Sequence, residues 1–442
     1  MKKVLAIVLA LVMVIGLAAC GTPAPANTNT AGNENTAPAP SNDANNAANE
    51  NTNTAEPEKV YNVGMVCIGN ENMAYDRNFY MAAEAAEKIL ADKGIKIQWN
   101  YTYDHPEGQP VADDCEELAG EKECIAVFLN SYGMEPAMLG VAADYPDTVF
   151  IGMTNEGSMR DDLENTVNAF PSIYEARYLA GVAAGCKLNE LIENKTITED
   201  EAVIGYVGAY TFAEVVSGYT SFYLGAKSVC PSATMIVKFI GSWGDPTMEA
   251  ATAQDLIDNG AVLISQHSDS TTPATTAQDN TIKDSDVKVA HVGYNISMSD
   301  VAPESSIISS RIDWTNYMVY VIETIVNGGK VDQDYIGHGL KDGDVCLTEL
   351  NEKIAAEGTA EAIKKAEDDI VSGKLNVFDT STFTVGGQTP TEALVDMDGD
   401  FKGDADYNAI SDGYYHESYF KSAPAFDLQI DGIKLLNTDF GN

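Results

Sequence analysis

Apolar residues fall along this chain in short runs, separated by polar loops and by stretches with helical spacing. Val63-Gly64-Met65-Val66-Cys67-Ile68 is a run of strand length that ends in Gly69-Asn70-Glu71-Asn72. Tyr75 to Leu90 follows, with Ala and Met recurring on one helical face. Ile97 to Tyr103 is rich in β-formers, Val111 to Leu118 reads as a helix, and Ile125 to Leu129 and Val149 to Gly152 read as further buried strands. Alternation of strand, loop and helix predicts a parallel sheet with helices on both faces. A long helix from Ser172 to Gly185 carries Ala176, Ala180, Gly181 and Ala184, small residues that admit a close neighbour. The rhythm then restarts: strand Val203 to Val207, helix Phe212 to Lys227, strand Met235 to Ile240, helix Thr247 to Asn259, and strands Val262 to Ile264 and Val287 to Val292. The economical expectation is an α/β fold of two doubly wound parallel-sheet lobes with a cleft between them. Residues 59–170, with part of 305–335, form the first lobe. Residues 171–304, with part of 336–442, form the second, and 380–442 is an acidic C-terminal extension.

The N-terminus has a different pattern. Lys2 and Lys3 precede an almost unbroken apolar run from Val4 to Leu17. That run is shorter than the roughly 20 residues of a comfortable membrane span, so it reads as the core of a signal peptide. It ends in Leu17-Ala18-Ala19-Cys20, which resembles a bacterial lipobox and implies cleavage before Cys20 and acylation of its sulfur, a lipid anchor to the membrane. Residues 21–58 are dominated by Asn, Thr, Ala and Pro with almost no large apolar side chain. Such a segment buries too little surface to offset its ordering entropy and is expected to be a disordered tether. A flexible chain of that length spans about 30–35 Å.

Charge and chemistry narrow the function. The formal net charge is −41, which argues against nucleic acid as a partner, since that needs a basic footprint. Apart from Cys20 the chain holds Cys67, Cys115, Cys124, Cys186, Cys230 and Cys346, none in a C-x-x-C pair, so no zinc site is predicted and the disulfide state stays open. His267 with Asp269 lacks a third ligand, so no metal is assigned, and no cofactor is expected. Asp396-Met397-Asp398-Gly399-Asp400, followed by Asp404 and Asp406, alternates like a calcium loop. The EF-hand spacing needs Gly at its sixth position and Glu at its twelfth, where this chain has Phe401 and Tyr407, so a solvated acidic loop is the preferred reading. Phosphate-loop, serine-hydrolase and zinc-protease motifs are absent.

In open α/β sheets, ligands sit beyond the carboxyl ends of the strands. The loops there pair aromatic with hydrogen-bonding side chains: Asn72, Met73, Tyr75 and Asp76; Tyr132; Trp243; Gln266 and Asp269; Tyr294 and Asn295. Rings cover the faces of a planar ligand while Asn, Gln and Asp read its edges. A rival reading makes Asp269 a helix N-cap.

Asn72 to Asn78, Ala176-Arg177-Tyr178-Leu179-Ala180-Gly181-Val182-Ala183-Ala184-Gly185, Ile204 to Val207, Ser242-Trp243-Gly244-Asp245-Pro246 and Gln266 to Ser270 together resemble the basic membrane lipoprotein family, the purine-nucleoside-receptor-like substrate-binding proteins of ABC transporters. The resemblance covers most of 60–330. It implies a type I periplasmic-binding-protein fold, a purine base or purine nucleoside as ligand, an ABC permease as partner, and no enzymatic activity. It also implies that Tyr75 and Trp243 sandwich the base, with Gln266, Asp269 and Asn295 on its edge or on a ribose. Two departures bear on the ligand. Relatives often have Gly-Trp-Thr-Tyr where this chain has Asn72-Met73-Ala74-Tyr75, and nucleoside binders carry an acidic residue near the Tyr294-Asn295 turn, where this chain has none before Asp300. The second departure favours a free base. Two other functions fit the same residues: a surface nucleoside hydrolase using Asp76 and Asp269, and a sensory ligand-binding lipoprotein.

Overall fold

Strand-length runs that are apolar on both faces need cover from both sides, and two sheets supply the framework. The computed structural model describes residues 59–155, 163–283, 289–396 and 407–440. Cys20, the tether 21–58, and Asp398, Asp400, Asp404 and Asp406 of the acidic loop lie outside the described residues.

The first sheet is built from β1 (Val60–Val66), β2 (Lys96–Thr102), β3 (Ala126–Leu129), β4 (Val149–Met153) and β5 (Thr166–Ala169), interleaved with helices α1 (Ala74–Asp92), α2 (Gln109–Glu116) and α3 (Glu135–Ala142). All its strands are parallel, in the order β2-β1-β3-β4-β5. Successive side chains point to opposite faces. Val63, Met65, Phe128 and Ile151 therefore pack with Phe79 and Leu90 of α1, whereas Val66, Val127, Leu129 and Phe150 pack with Val111 and Met138 of α2 and α3.

The chain then crosses into α4 (Ile173–Glu193) and the second set: β6 (Val203–Gly208), α5 (Ala213–Val229), β7 (Thr234–Phe239), α6 (Pro246–Asp258), β8 (Leu263–Gln266), α7 (Thr272–Lys283), β9 (Ala290–Tyr294) and β10 (Ser306–Ile312). Their order, β7-β6-β8-β9-β10, repeats that of the first sheet strand for strand. Helix α8 (Thr315–Val326) returns to the first lobe, where Met318 and Ile322 join the α1 core. Strand β11 (Val345–Leu347) then adds antiparallel to β10, and α9 (Thr359–Val371) follows it. This is an α/β fold of two parallel-sheet lobes of the periplasmic-binding-protein kind.

The region after residue 380, read from sequence as an acidic extension, is anchored in the second lobe. Its strand Ile433–Leu435 pairs parallel with β7. Phe426 stacks on Phe378 at 4.3 Å and meets Tyr415 edge-on at 4.8 Å. The buried carboxylate of Glu417 accepts from Ser217 Oγ of α5 at 2.6 Å and from the backbone N–H groups of Ala425 and Phe426 at 3.0 Å each. All six described cysteines are free thiols. Among the described residues no helix is long and apolar enough to cross a membrane.

The small residues of α4 have a physical purpose. A Cβ on Gly181 would lie 2.0 Å from the carbonyl oxygen of Phe222, and one on Gly225 would lie 2.0 Å from that of Tyr178, so α4 and α5 touch backbone to backbone. The obstacle is main chain and cannot rotate away. Gly181→Ala is therefore expected to force the helices apart and destabilise the protein by about 1–3 kcal/mol. Thermal denaturation would show a clear drop in Tm for Gly181→Ala and little change for Gly140→Ala, where a Cβ meets nothing within 4 Å.

Candidate functional site

In each sheet the strand order reverses between two neighbours, β1/β3 in the first and β6/β8 in the second, which opens a crevice at their carboxyl ends. The two crevices face each other. From the first lobe come Tyr75 in the opening turn of α1, Ser131 and Tyr132 after β3, and Thr154 after β4. From the second come Glu214 in the opening turn of α5, Trp243 after β7, His267 and Asp269 after β8, and Tyr294 at the end of β9. Together they line a slot whose free volume is only about 10 Å3, room for little more than one water, so the lobes stand closed on each other.

The lobes touch at its rim. The backbone N–H of Tyr75 donates to the Asp269 carbonyl at 3.3 Å, the Tyr132 and Phe212 rings lie 5.5 Å apart, and Met73 packs against Gly244. Ala74 of α1 joins Ala274, Met298 and Ala302 of the second lobe in a small apolar contact. Trp243 is held edge-on by Tyr210 at 5.0 Å.

Hydrogen bonds behind the lining fix its loops. Asp76 accepts from Gly69 N at 3.1 Å and Asn130 Nδ2 at 2.8 Å, and Asn130 Oδ1 accepts from Ile68 N, so the loops after β1 and β3 are tied together. The Tyr75 hydroxyl donates to the Asn130 carbonyl at 2.5 Å. In the second lobe, Glu249 accepts from the hydroxyls of Ser268 and Ser270 at 2.8 Å each, and Gln266 Nε2 donates to both of their carbonyls. That turn holds Asp269 toward the slot. Thr154 and Asn295 have φ of 72° and 71°, left-handed backbone that costs a non-glycine residue of order 1–3 kcal/mol.

The electrostatics are dominated by burial. Arg177 is fully buried, donates from Nη1 to the Gln266 carbonyl at 2.8 Å, and stacks its guanidinium 3.6 Å above the Tyr294 ring. Its Nε and Nη2 have no partner among the described residues. Burial pushes Glu214 up to about 8, against the pull of Arg177. His267, 3.2 Å from Glu214, is pushed well below the ordinary range by burial and then by Arg177. A neutral carboxyl beside a neutral imidazole is thus favoured over an ion pair. Asp269 is driven well up by burial and by the neighbouring carboxylates, and its side chain makes no hydrogen bond to the described residues. Asp76, also buried, is raised to about 6.

Of the residues marked from sequence, the structure brings Tyr75, Tyr132, Trp243, Asp269 and Tyr294 to the slot, with Met73 at its rim. It places the others elsewhere. Asp76 and Gln266 are buried behind the lining as loop ties. Asn72 is exposed and bonded to Asn70 at 2.9 Å. Asn295 is buried, with its backbone N–H donating to the Ser310 carbonyl. Glu214, Thr154 and Arg177 were not marked. A lone arginine among small residues of an apolar helix was a signal for Arg177. Glu214 and Thr154 had none, because only the topology reveals which helix start and which strand end share the slot.

These carboxyl groups predict a pH dependence of stability. A glutamate whose folded pKa lies above its unfolded value carries an extra proton in the folded state, so stability falls as pH rises between the two values. For Glu214 that window runs from 4.5 to about 8, and for Glu417 from 4.5 to about 7. His267 and His291, both lowered by burial, give the opposite slope, but only below 6.5. Tm should therefore decline from about pH 6.5 to about pH 8.5, with a shallower decline in Glu214→Gln. A wild-type curve that rises over this range, or a variant of equal slope, would contradict the assignment.

Known proteins place this architecture. Residues 70–380 match the family described as ABC transporter substrate-binding protein PnrA-like. The "Putative ABC transporter glucose-binding protein TsgA13" of Haloferax volcanii is 33% identical over 257 residues, 58% of this chain. The match spans 60% of that relative, under two thirds of its length. A purine-binding protein of Brucella abortus is 29% identical over 342 residues, 76% of this chain and 89% of that one. Among solved structures, an ABC transporter solute-binding protein from Aeropyrum pernix K1 superposes with a TM-score of 0.56 at 16% identity, covering 75% of this chain and 94% of that one. Another, from Conexibacter woesei, gives 0.53 at 18% identity over 72% of this chain and 98% of that one. At that identity the structures speak for the fold, and the sequence match speaks for the family: the chain belongs to the PnrA-like substrate-binding proteins of ABC transporters.

Proposed function

We propose that the slot captures a purine, as the free base or as a nucleoside, and that the closed protein hands it to an ABC permease. One observation carries this reading. The rings of Tyr75, Tyr132, Trp243 and Tyr294 and the carboxyl groups of Glu214 and Asp269 face a single narrow slot, contributed from both lobes. A protonated carboxyl offers a donor and an acceptor side by side, which matches the adjacent N–H and ring nitrogen on a purine edge, while the rings serve its faces. The Brucella purine-binding relative agrees in ligand class. No catalytic step is required, because affinity comes from stacking, edge hydrogen bonds and lobe closure. The protein works outside the cytoplasm, held to the membrane through lipid on Cys20.

The second reading is a sugar, favoured by the name of the Haloferax relative. Calorimetric titration of the purified protein with adenine, guanine, adenosine, guanosine, inosine and glucose separates the two. Purine binding at micromolar or tighter affinity is expected, weakened at least tenfold in Trp243→Ala, about 1.4 kcal/mol. Inosine recovered intact after denaturation would agree with capture, and released hypoxanthine would indicate hydrolysis. Glucose binding without purine binding would replace the ligand class.

The anchor has its own test. The wild-type protein made in a bacterium should partition into detergent, and Cys20→Ser should move it to the aqueous phase. Equal partitioning would remove the lipid from the proposal.

A further inference from the structure

The chain passes between the lobes at 170–172, 313–314 and 336–344, since β5 and α8 belong to the first lobe while α4, β10 and β11 belong to the second. The first and third crossings lie side by side, with Ser172 N donating to the His338 carbonyl at 2.8 Å. The C-terminal segment runs across them. On one side Glu417 is bonded to Ser217 of α5. On the other, Ser422 bonds to Asp334 and accepts from Asn168 Nδ2 of β5 at 3.1 Å. The segment is a strap joined to both lobes at the hinge.

Beneath the strap lie two adjoining cavities of about 220 and 190 Å3. Tyr174, Glu175, Ile370, Glu417 and Tyr419 border both, and neither shares a lining residue with the interlobe slot. The hinge supplies Ser172, Gly337 and Gly339. Two aromatic groups line it: Tyr174 lies 5.5 Å from Phe378, and His416 lies 3.8 Å from Tyr414 and 5.4 Å from Tyr419. Tyr419 is 62% exposed and borders both cavities, its ring touching His416 and Phe420.

Glu175 and Glu417 line both cavities, Lys341 lines one and His416 the other. Glu175 Oε2 accepts from Leu340 N at 2.8 Å, while Oε1 makes no hydrogen bond to the described residues. Burial raises its pKa, partly offset by the Leu340 N–H and then by Lys341, while Asp342 adds to the rise. The Glu417 carboxylate is occupied by its three donors. The buried hydroxyl of Tyr415, another lining residue, has no hydrogen-bond partner among the described residues. A desolvated carboxylate with a free oxygen, ringed by tyrosines, is the environment that holds an ammonium group by charge and by the faces of the rings.

We propose that this hinge cavity is a second binding site, separate from the slot, for a small organic cation whose ammonium group sits on Glu175 between Tyr174, Tyr414 and Tyr419. It does not depend on the identity of the slot's ligand.

The test uses the intact protein with choline, tetramethylammonium and putrescine as probes and glucose as the neutral control, each followed by calorimetry. At least one ammonium probe should bind saturably at one per chain. Its affinity should drop at least tenfold in Glu175→Gln, which retains an acceptor for Leu340 N, and in Tyr419→Ala, where the exposed ring is removed without disturbing the core. Trp243→Ala, in the slot, should leave it unchanged. Absence of saturable binding by all three ammonium probes would overturn the site. So would binding that survives both cavity variants, or binding lost in Trp243→Ala, which would put the cation in the slot. Glucose binding sensitive to Tyr419→Ala, with no ammonium binding, would overturn the charge assignment.

Discussion

Three carboxyl groups, Asp76, Glu249 and Asp269, are buried at the strand ends of the cleft, a fourth, Glu214, is half-buried beside them, and Arg177 is the buried cation among them. Taking a carboxylate out of water costs several kcal/mol unless donors replace the lost hydration. Each group meets that cost differently, and the differences organise the site. Asp76 recovers hydration from a backbone N–H and the Asn130 amide, and Glu249 from two serine hydroxyls, and in doing so they fix the loops after β1 and β3 and the turn that carries Asp269. Glu214 faces His267 in the field of Arg177. Asp269 has neither arrangement, although its backbone is fixed by Trp243 and Tyr75. Of the four, it gains most from a donor entering the slot.

Strands β1 to β4 and β6 to β9 and helices α1, α2, α4, α5 and α6 were legible because their apolar periodicity is a local property, whereas β10, β11, α3, α7, α8 and α9 were not read. The expected strand Val203 to Val207 lies within β6 and the expected helix Thr247 to Asn259 within a residue of α6. Strand β5 escaped notice: Thr166–Ala169 is four residues with two polar members, buried by its neighbours and not by its own composition. The site was legible only as far as strand ends reveal it. Which residue of a loop faces inward depends on register and backbone twist. Gln266 and Asp269 stand three residues apart, yet one ties the turn and the other lines the slot. Glu214 belongs to the site because β6 is the topological switch of its sheet, a fact of strand order that no local pattern encodes.

The lobes repeat one strand order but differ in what has been added. The second gained β11 on one edge and the C-terminal strand on the other, so neither β10 nor β7 is left as an open edge. The same additions carry the strap over the hinge. Its bonds to Asn168 and Asp334 on the first lobe and to Ser217 on the second mean that lobe rotation must carry or break hydrogen bonds outside the cleft. A charge of −41 on the whole chain adds no preference for one lobe position over another unless the charges approach each other, and in the cleft burial removes much of that charge by favouring the protonated forms.

Closure itself rests on little. Across the rim run a long backbone hydrogen bond at 3.3 Å, the Met73–Gly244 contact and an apolar patch in which three of four members are alanine. Alanine side chains bury little area, and at about 25 cal/mol per Å2 such a patch contributes only a modest part of the free energy of closing. A ligand shifts a two-state equilibrium only by its difference in affinity for the two states. Tyr75 and Tyr132 come from the first lobe, and Trp243, Tyr294 and both carboxyl groups from the second, so a molecule in the slot meets one set when the lobes are apart and both when they are together. Weak intrinsic contacts and divided recognition therefore act in the same direction: the closed form is set by what fills the slot, and closure becomes the signal that it is filled.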